Sequence, residues 1–159
     1  RDTSVTGVQT CALPIFAYKM NEANTKIQER ISFDITEDLD FERLLTMFEI
    51  VIVDVWAQWC EPCKKIANRY EELGKKYTQF INEKRIVFLK DDIDSDGSIH
   101  REYIEAVPTF FIYYKTKMYK KISGTEFNDL DGIIEQLING KGEFQVENNE
   151  TEPQSYEGI

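Results

Sequence analysis

Two cysteines, Cys60 and Cys63, stand three positions apart in the segment WCEPC. An apolar run typical of a strand precedes this segment and an amphipathic helical pattern follows it, so the pair lies where a strand gives way to a helix. A helix N-terminus carries about half a positive charge and free N–H groups, which favour a thiolate there. We therefore expect Cys60 to be a nucleophile. Cys63 falls in the same first turn, close enough to form a reversible disulfide, and Pro62 suits that turn because its missing N–H has no helical partner there.

The elements that must position the two sulfurs alternate along the chain. Residues 50–57 are a β-branched run typical of a strand covered on both faces, which predicts the central strand of a sheet. The helix after the cysteines keeps its apolar spacing as far as Phe80. The other predicted elements are strands at 31–35, 85–90, 109–114 and 117–122, and helices at 41–48, 99–106 and 130–138. This order predicts an α/β fold with a mixed central β-sheet and helices on both faces.

The composition limits the classes of function. The chain has 159 residues, enough for one domain of ordinary size, with 19 basic and 29 acidic residues and a net charge of -10. Phosphate and anionic-lipid contacts need clustered Lys and Arg, so neither nucleic acid nor a membrane surface is an expected partner. No apolar run reaches the roughly 18 residues of a membrane span. Three cysteines are too few for a disulfide-stapled secreted scaffold.

Both ends of the sequence are expected to lie outside the folded domain. Residues 5–15, VTGVQTCALPI, resemble the translation of a sequencing adapter, so positions 1–19 are interpreted as an artefactual, unstructured leader that includes Cys11. The domain is expected to occupy 20–140. Positions 141–159 lack periodicity and are expected to form an acidic disordered tail.

Four segments resemble the thioredoxin family in their order and nearly in their spacing. They are VIVDVWAQWCEPCK at 51–64, FLKDDID at 88–94, AVPT at 106–109 and ISG at 122–124. The resemblance covers roughly 31–139 and implies a thioredoxin fold and thiol–disulfide exchange. In this reading Cys60 attacks a substrate disulfide, and Cys63 then resolves the mixed disulfide.

The resemblance also implies roles for residues around the cysteines. The family's buried carboxylate corresponds to Asp54, whose pKa should be raised by burial and which would exchange a proton with Cys63. The family's partner lysine corresponds to Lys90. Its cis proline facing the disulfide corresponds to Pro108, where the backbone of Val107 would offer hydrogen bonds to a substrate strand. Further substrate contacts are implied for Trp59, Glu61, Pro62 and Gly124.

One departure from the family pattern concerns charge. Glu61 stands where the family usually has glycine, and its carboxylate should disfavour the Cys60 thiolate slightly. An exposed carboxylate shifts a redox potential far less than the roughly 150 mV that separates thioredoxin from a strong oxidant, so a reducing potential is expected. Glu61 and Glu105 should together make the substrate face acidic and favour basic or neutral substrates.

The residues alone leave other interpretations open. Asp54 could face solvent at a strand edge, and Lys90 could be an ordinary exposed lysine. The segment 92–99 nearly matches a calcium loop, but Tyr103 stands where the bidentate Glu belongs. Structural zinc needs about four ligands, more than the cysteine pair and His100 provide. We therefore expect no metal and no cofactor, and we expect His100 on the surface of a helix.

These observations converge on a protein-disulfide reductase of the thioredoxin type. Its expected partners are disulfide-containing protein substrates and a recycling reductase resembling thioredoxin reductase. We expect a monomer, and the cytoplasm is the expected compartment because no leader is visible. The alternative is a non-catalytic thioredoxin-like module that binds a protein partner through the same surface.

Overall fold

The computed structural model describes residues 30–37 and 39–142. The strands within this part of the chain are β1 (Phe33–Asp34), β2 (Ile50–Trp56), β3 (Ile86–Asp92), β4 (Thr109–Tyr114) and β5 (Lys117–Ser123). The helices there are α1 (Phe41–Met47), α2 (Glu61–Lys76), α3 (Thr78–Asn82) and α4 (Asp129–Ile138), with 3-10 turns at Arg101–Tyr103 and Gly124–Glu126. The expected leader at 1–19 and positions 143–159 of the expected tail lie outside the described residues.

The strands form one mixed sheet in the order β1-β3-β2-β4-β5. β3 runs parallel to both β1 and β2, whereas β4 is antiparallel to β2 and to β5. The segment at 50–57 is therefore the central strand, as its unbroken apolar run predicts. The α/β class with a mixed sheet is confirmed.

Apolar side chains cover both faces of this sheet. On β2, Ile50 and Ile52 point to one face and pack with buried residues of α2 and α4. The three valines of this strand, Val51, Val53 and Val55, point to the other face and pack with α1. Each face thus has its own core, which confirms helices on both sides and explains why β2 has no solvent-facing alternation.

Helix α2 is fixed to the sheet by a polar contact as well as by apolar packing. The buried hydroxyl of Tyr70 lies 2.9 Å from the carbonyl oxygen of Leu89 and 3.2 Å from that of Ile52. These oxygens belong to adjacent parallel strands, so the contact holds the helix across the β2–β3 seam. The position of the α2 N-terminus, where the cysteines lie, follows from this attachment.

Two expected elements differ from the structure. The long helix ends at Lys76, and after Tyr77 the chain resumes as the short α3. The expected helix at 99–106 is wrong, because only Arg101–Tyr103 turns, as a 3-10 helix, and Ile104 is already extended. The extended chain brings Ile104 and Val107 onto the α1-side core and leads into β4. None of the described helices has the length and apolar character needed to cross a bilayer.

Candidate active site

The two cysteines lie at the N-terminus of α2 and are joined by a disulfide, with their Cα atoms 5.3 Å apart. Cys60 is the N-cap residue, and its Sγ accepts a hydrogen bond from the Cys63 backbone N–H at 3.2 Å. Pro62 lies in the first turn, as expected. The same N–H and the helix dipole would stabilise a thiolate on Cys60 after reduction.

Three parts of the fold surround the sulfurs. Cys60, Cys63 and Ala57 form a buried cluster, and Trp56, Ile93 and Val107 pack against it. Trp56 ends β2, Ile93 follows β3 and Val107 precedes β4. The site therefore lies at the carboxyl ends of the two central parallel strands, beside the entry to β4.

Asp54 is 2% exposed, so the solvent-facing alternative is wrong. It follows Ile52 by two positions and therefore points to the face that α2 covers. Burial raises its pKa to about 7, against an opposing effect from the Lys90 charge. Lys90 is Asp54's register partner on β3, is half-buried, and places its ammonium 4.4 Å from the centre of the Trp56 ring. The Asp54 carboxyl can thus take up and release a proton near neutral pH.

The segment before β4 brings a second backbone to the sulfurs. The Val107–Pro108 peptide bond is cis, as the resemblance implies. The Pro108 carbonyl accepts a hydrogen bond from the Gly124 N–H at 2.9 Å, and a Cβ on Gly124 would overlap the Pro108 ring. Thr109 Oγ1 donates to the Ala106 carbonyl at 2.6 Å. Gly124 is therefore required at this point by close packing.

The rim of the site carries an exposed aromatic ring. Trp59 is 65% exposed, and its indole N–H donates to Asp94 Oδ2 at 2.9 Å. Glu61 and Pro62 are exposed beside it. The Glu61 carboxylate lies 2.7 Å from the Lys64 ammonium, and this hydrogen bond lowers the pKa of Glu61.

The thioredoxin family model matches residues 32–139. This chain belongs to the thioredoxin family. Thioredoxin 1 of Plasmodium falciparum (isolate 3D7) is 35% identical over 103 residues, which cover 64% of this chain and 93% of that protein. Chloroplastic thioredoxin F2 of Arabidopsis thaliana is 39% identical over 94 residues, which cover 58% of this chain and 48% of that protein, so the match spans about half of that relative.

A solved structure of thioredoxin f2 in complex with ferredoxin:thioredoxin reductase is also similar. It has a TM-score of 0.54 and 32% sequence identity, and the match covers 67% of this chain and 94% of that one. Family, fold and the Cys60–Cys63 disulfide together make this chain a thioredoxin-type protein-disulfide reductase. The alternative of a non-catalytic binding module is not favoured.

Three contacts in and near the site were not predicted from the sequence motifs. Lys64 compensates the Glu61 charge, which the spacing of three residues on a helix could have indicated. Asp94 holds the Trp59 indole from a different loop. His100 is 1% exposed and paired with Asp91, so its expected place on a helix surface is wrong.

Replacing Asp54 with Asn should remove a pH-dependent loss of stability. The raised pKa means that folded Asp54 keeps a proton that the unfolded carboxyl releases above its ordinary value of 3.8, so this group destabilises the fold as pH rises towards about 7. Between about pH 5 and pH 8 the wild type should lose roughly 3 kcal/mol relative to Asp54→Asn, at about 1.4 kcal/mol per pKa unit. Urea unfolding of the oxidised proteins measures the difference. Asp96→Asn controls for charge removal at an exposed site, and parallel curves for wild type and Asp54→Asn contradict the prediction.

Gly124→Ala should damage the site through Pro108. The added Cβ cannot fit beside the Pro108 ring, so that ring must move relative to the sulfurs. Overpacking of this kind costs roughly 1–3 kcal/mol of stability, and we expect the rate of insulin reduction to fall several-fold. The control is Gly132→Ala in α4, where a Cβ has open space and should stabilise the helix by about 0.5–1 kcal/mol. Unchanged insulin reduction in Gly124→Ala would show that Pro108 tolerates the shift.

Proposed function

We propose that this chain reduces disulfides of cytoplasmic proteins as a monomer and is returned to its dithiol form by a reductase resembling thioredoxin reductase. The observation that supports the proposal is the Cys60–Cys63 pair at the N-terminus of α2, with buried Asp54 on the face of the sheet that this helix covers. The pair supplies two electrons, and the carboxyl supplies a place for the proton.

The reaction proceeds in two displacements. The Cys60 thiolate attacks one sulfur of the substrate disulfide, so a mixed disulfide forms and the other substrate sulfur leaves as a thiolate. Cys63 then gives its proton to Asp54 and attacks the Cys60 sulfur, which releases the second substrate thiolate. The substrate gains two electrons and the enzyme ends as the Cys60–Cys63 disulfide. A pKa of about 7 lets Asp54 accept a proton in this step and lose it before the next cycle.

The substrate segment docks beside the sulfurs as an extended strand. The Val107 backbone offers it hydrogen bonds, and Trp59, next to Cys60 in the chain, provides an exposed apolar surface. The contact between Pro108 and Gly124 fixes the position of the Val107 backbone beside the sulfurs. Lys90 acts through its charge, which opposes the rise in the Asp54 pKa, and its ammonium lies over the Trp56 ring.

The recycling partner is the least direct part of the proposal. The solved complex of thioredoxin f2 with ferredoxin:thioredoxin reductase supports a reductase as a partner for this chain. We favour the cytoplasm because its thiol systems keep such pairs reduced. The F-type relatives are chloroplastic by name, so imaging of the tagged natural protein is the test of compartment, and plastid fluorescence would overturn this part of the proposal.

Cys60→Ser should abolish catalysis of insulin reduction driven by dithiothreitol, because it removes the attacking sulfur. Reduced Cys63→Ser that is freed of dithiothreitol before it meets insulin should trap the mixed disulfide, since no thiol then remains to resolve it. Cys11→Ser is the matched control and should keep the wild-type rate. Turbidity reports the rate, and mass spectrometry of the Cys63→Ser adduct identifies the linked cysteine. A wild type that binds disulfide proteins without accelerating their reduction would restore the binding-module alternative.

Glu105→Lys should lower the preference for basic substrates. Glu105 is exposed in the segment that leads to Val107, so its charge acts on docking peptides through solvent. Reversing one such charge should change the ratio of kcat/KM for a Lys-rich against a Glu-rich disulfide peptide about three- to fivefold at low salt. Glu83→Lys makes the same change just before β3, at the opposite end of the sheet, and should leave the ratio unaltered. An equal ratio in wild type and Glu105→Lys refutes the acidic-face interpretation.

A further inference from the structure

A buried chain of three polar side chains lies on the α1 side of the sheet, away from Asp54. His100 Nδ1 is 2.7 Å from Asp91 Oδ2, and His100 Nε2 is 2.9 Å from the Tyr113 hydroxyl. His100 is 1% exposed and Asp91 is fully buried. Burying a carboxylate and an imidazole costs free energy that apolar side chains of similar volume would not. The exchange chemistry described above makes no use of this cluster.

The cluster joins three separate parts of the fold. Asp91 lies on β3, Tyr113 lies on β4, and His100 lies midway along the segment 93–108 that connects them. Asp91 Oδ2 also accepts the backbone N–H groups of Ile99 at 3.0 Å and His100 at 2.8 Å. One carboxylate oxygen therefore anchors both the side chain and the backbone of this segment to the sheet.

Aromatic rings fix the plane of the imidazole. Its centroid lies 5.4 Å from that of Phe41 on α1, nearly perpendicular to it, and 4.6 Å from that of Phe111 on β4. While these rings pack against the imidazole, its two nitrogens lie within hydrogen-bond distance of Asp91 Oδ2 and the Tyr113 hydroxyl. Burial raises the pKa of Asp91, but hydrogen bonding to His100 outweighs this effect and holds that pKa below its usual value. An ionised Asp91 places the proton on Nδ1.

The anchored segment reaches the sulfurs at both of its ends. Ile93, near its start, and Val107, near its end, pack against the Cys60–Cys63 cluster. The Arg101 guanidinium adds hydrogen bonds to the carbonyl oxygens of Ile93, at 2.6 Å, and of Ser95. His100 and Arg101 thus brace the middle of a segment whose ends form one wall of the active site.

We propose that His100 is a positioning residue for disulfide exchange, which ties the 93–108 segment to Asp91 and Tyr113 and so sets the Val107–Pro108 backbone where a protein substrate docks. The inference rests on the proposed function, because it concerns how that site meets its substrate. It assigns His100 no contact with substrate. Its consequence is selective: substrates that use the Val107 backbone need His100, and small disulfides that need only Cys60 do not.

The test compares two disulfides with the full chain. Stopped-flow rate constants are measured for the reduced protein with insulin, whose peptide backbone can dock at Val107, and with 5,5′-dithiobis(2-nitrobenzoate), which offers no peptide backbone. His100→Phe keeps an aromatic ring and loses both hydrogen bonds. Because a misplacement of about 1 Å can cost up to a hundredfold, we expect insulin reduction to fall at least about tenfold and the small disulfide to change less than about twofold.

Further variants separate positioning from a general loss of structure. His100→Asn retains a donor near the Nδ1 position and should recover part of the insulin rate. Tyr113→Phe removes one hydroxyl with little change in volume, so this variant provides the test if His100→Phe does not fold. The ratio of its insulin rate to its small-disulfide rate should fall at least about twofold. Tyr103→Phe removes a hydroxyl from an exposed ring in the same segment and should match the wild type. The equilibrium constant of the Cys60–Cys63 couple with glutathione should stay unchanged in every variant.

The outcomes distinguish this inference from the proposed function. A wild type that does not reduce insulin overturns the proposed function and the inference with it. An active wild type whose Tyr113 and His100 variants keep the wild-type ratio overturns the inference alone. Parallel losses on both disulfides, or a shifted glutathione equilibrium, also overturn it, because they indicate general damage at the cysteines.

Discussion

The chemistry of this protein depends on the attachment of the α2 N-terminus to the end of the central strand. Cys60 is both the cap of that helix and the proposed nucleophile, so any movement of the helix moves its sulfur. The attachment combines the apolar packing of α2 on β2 with the Tyr70 hydroxyl, which bonds strand carbonyl groups on both β2 and β3. A shift of the helix would also uncover Asp54, whose raised pKa depends on burial. Geometry and proton chemistry are therefore set by the same contact.

Polar side chains lie on both faces of the sheet at neighbouring positions along β2 and β3. Asp54 and Lys90 are register partners on β2 and β3, and Asp91 is the next residue on β3 with its side chain on the opposite face. Each carboxyl has one buried oxygen without a hydrogen-bond partner among the described residues, but the other oxygen of Asp91, Oδ2, accepts two backbone N–H groups and lies 2.7 Å from His100 Nδ1. Their pKa values accordingly move in opposite directions. One carboxyl is suited to proton exchange near neutral pH, and the other, with its lowered pKa, is suited to serve as an ionised anchor.

The local sequence pattern was sufficient to predict the central strand and the cysteine-bearing helix, because the residues that set their apolar periodicity and capping lie within a few positions of one another. It failed at 99–106 and at His100, where the decisive partners come from elsewhere in the fold. The Tyr113 hydroxyl and the Phe111 ring reach His100 only after β4 has paired with β2. A lone histidine among polar neighbours gives no sign of such a pocket. The burial of Asp54 was predictable, since a carboxylate inside a β-branched run has no exposed face.

The charges near Cys60 act mainly on docking, and their effect on the thiol is small. Glu61 is the acidic residue nearest in sequence to the nucleophile, yet its carboxylate is paired with Lys64, and the field of an opposed pair falls off faster than that of a single charge. Asp94 is different, because it holds the exposed indole of Trp59 and keeps its own negative charge beside that ring. Glu105 adds another exposed carboxylate in the segment that His100 anchors. These charges are exposed, so they can meet a substrate side chain, whereas solvent screening weakens their effect on a buried sulfur. Differences in reduction rate among substrates should therefore arise in the association step and depend on salt.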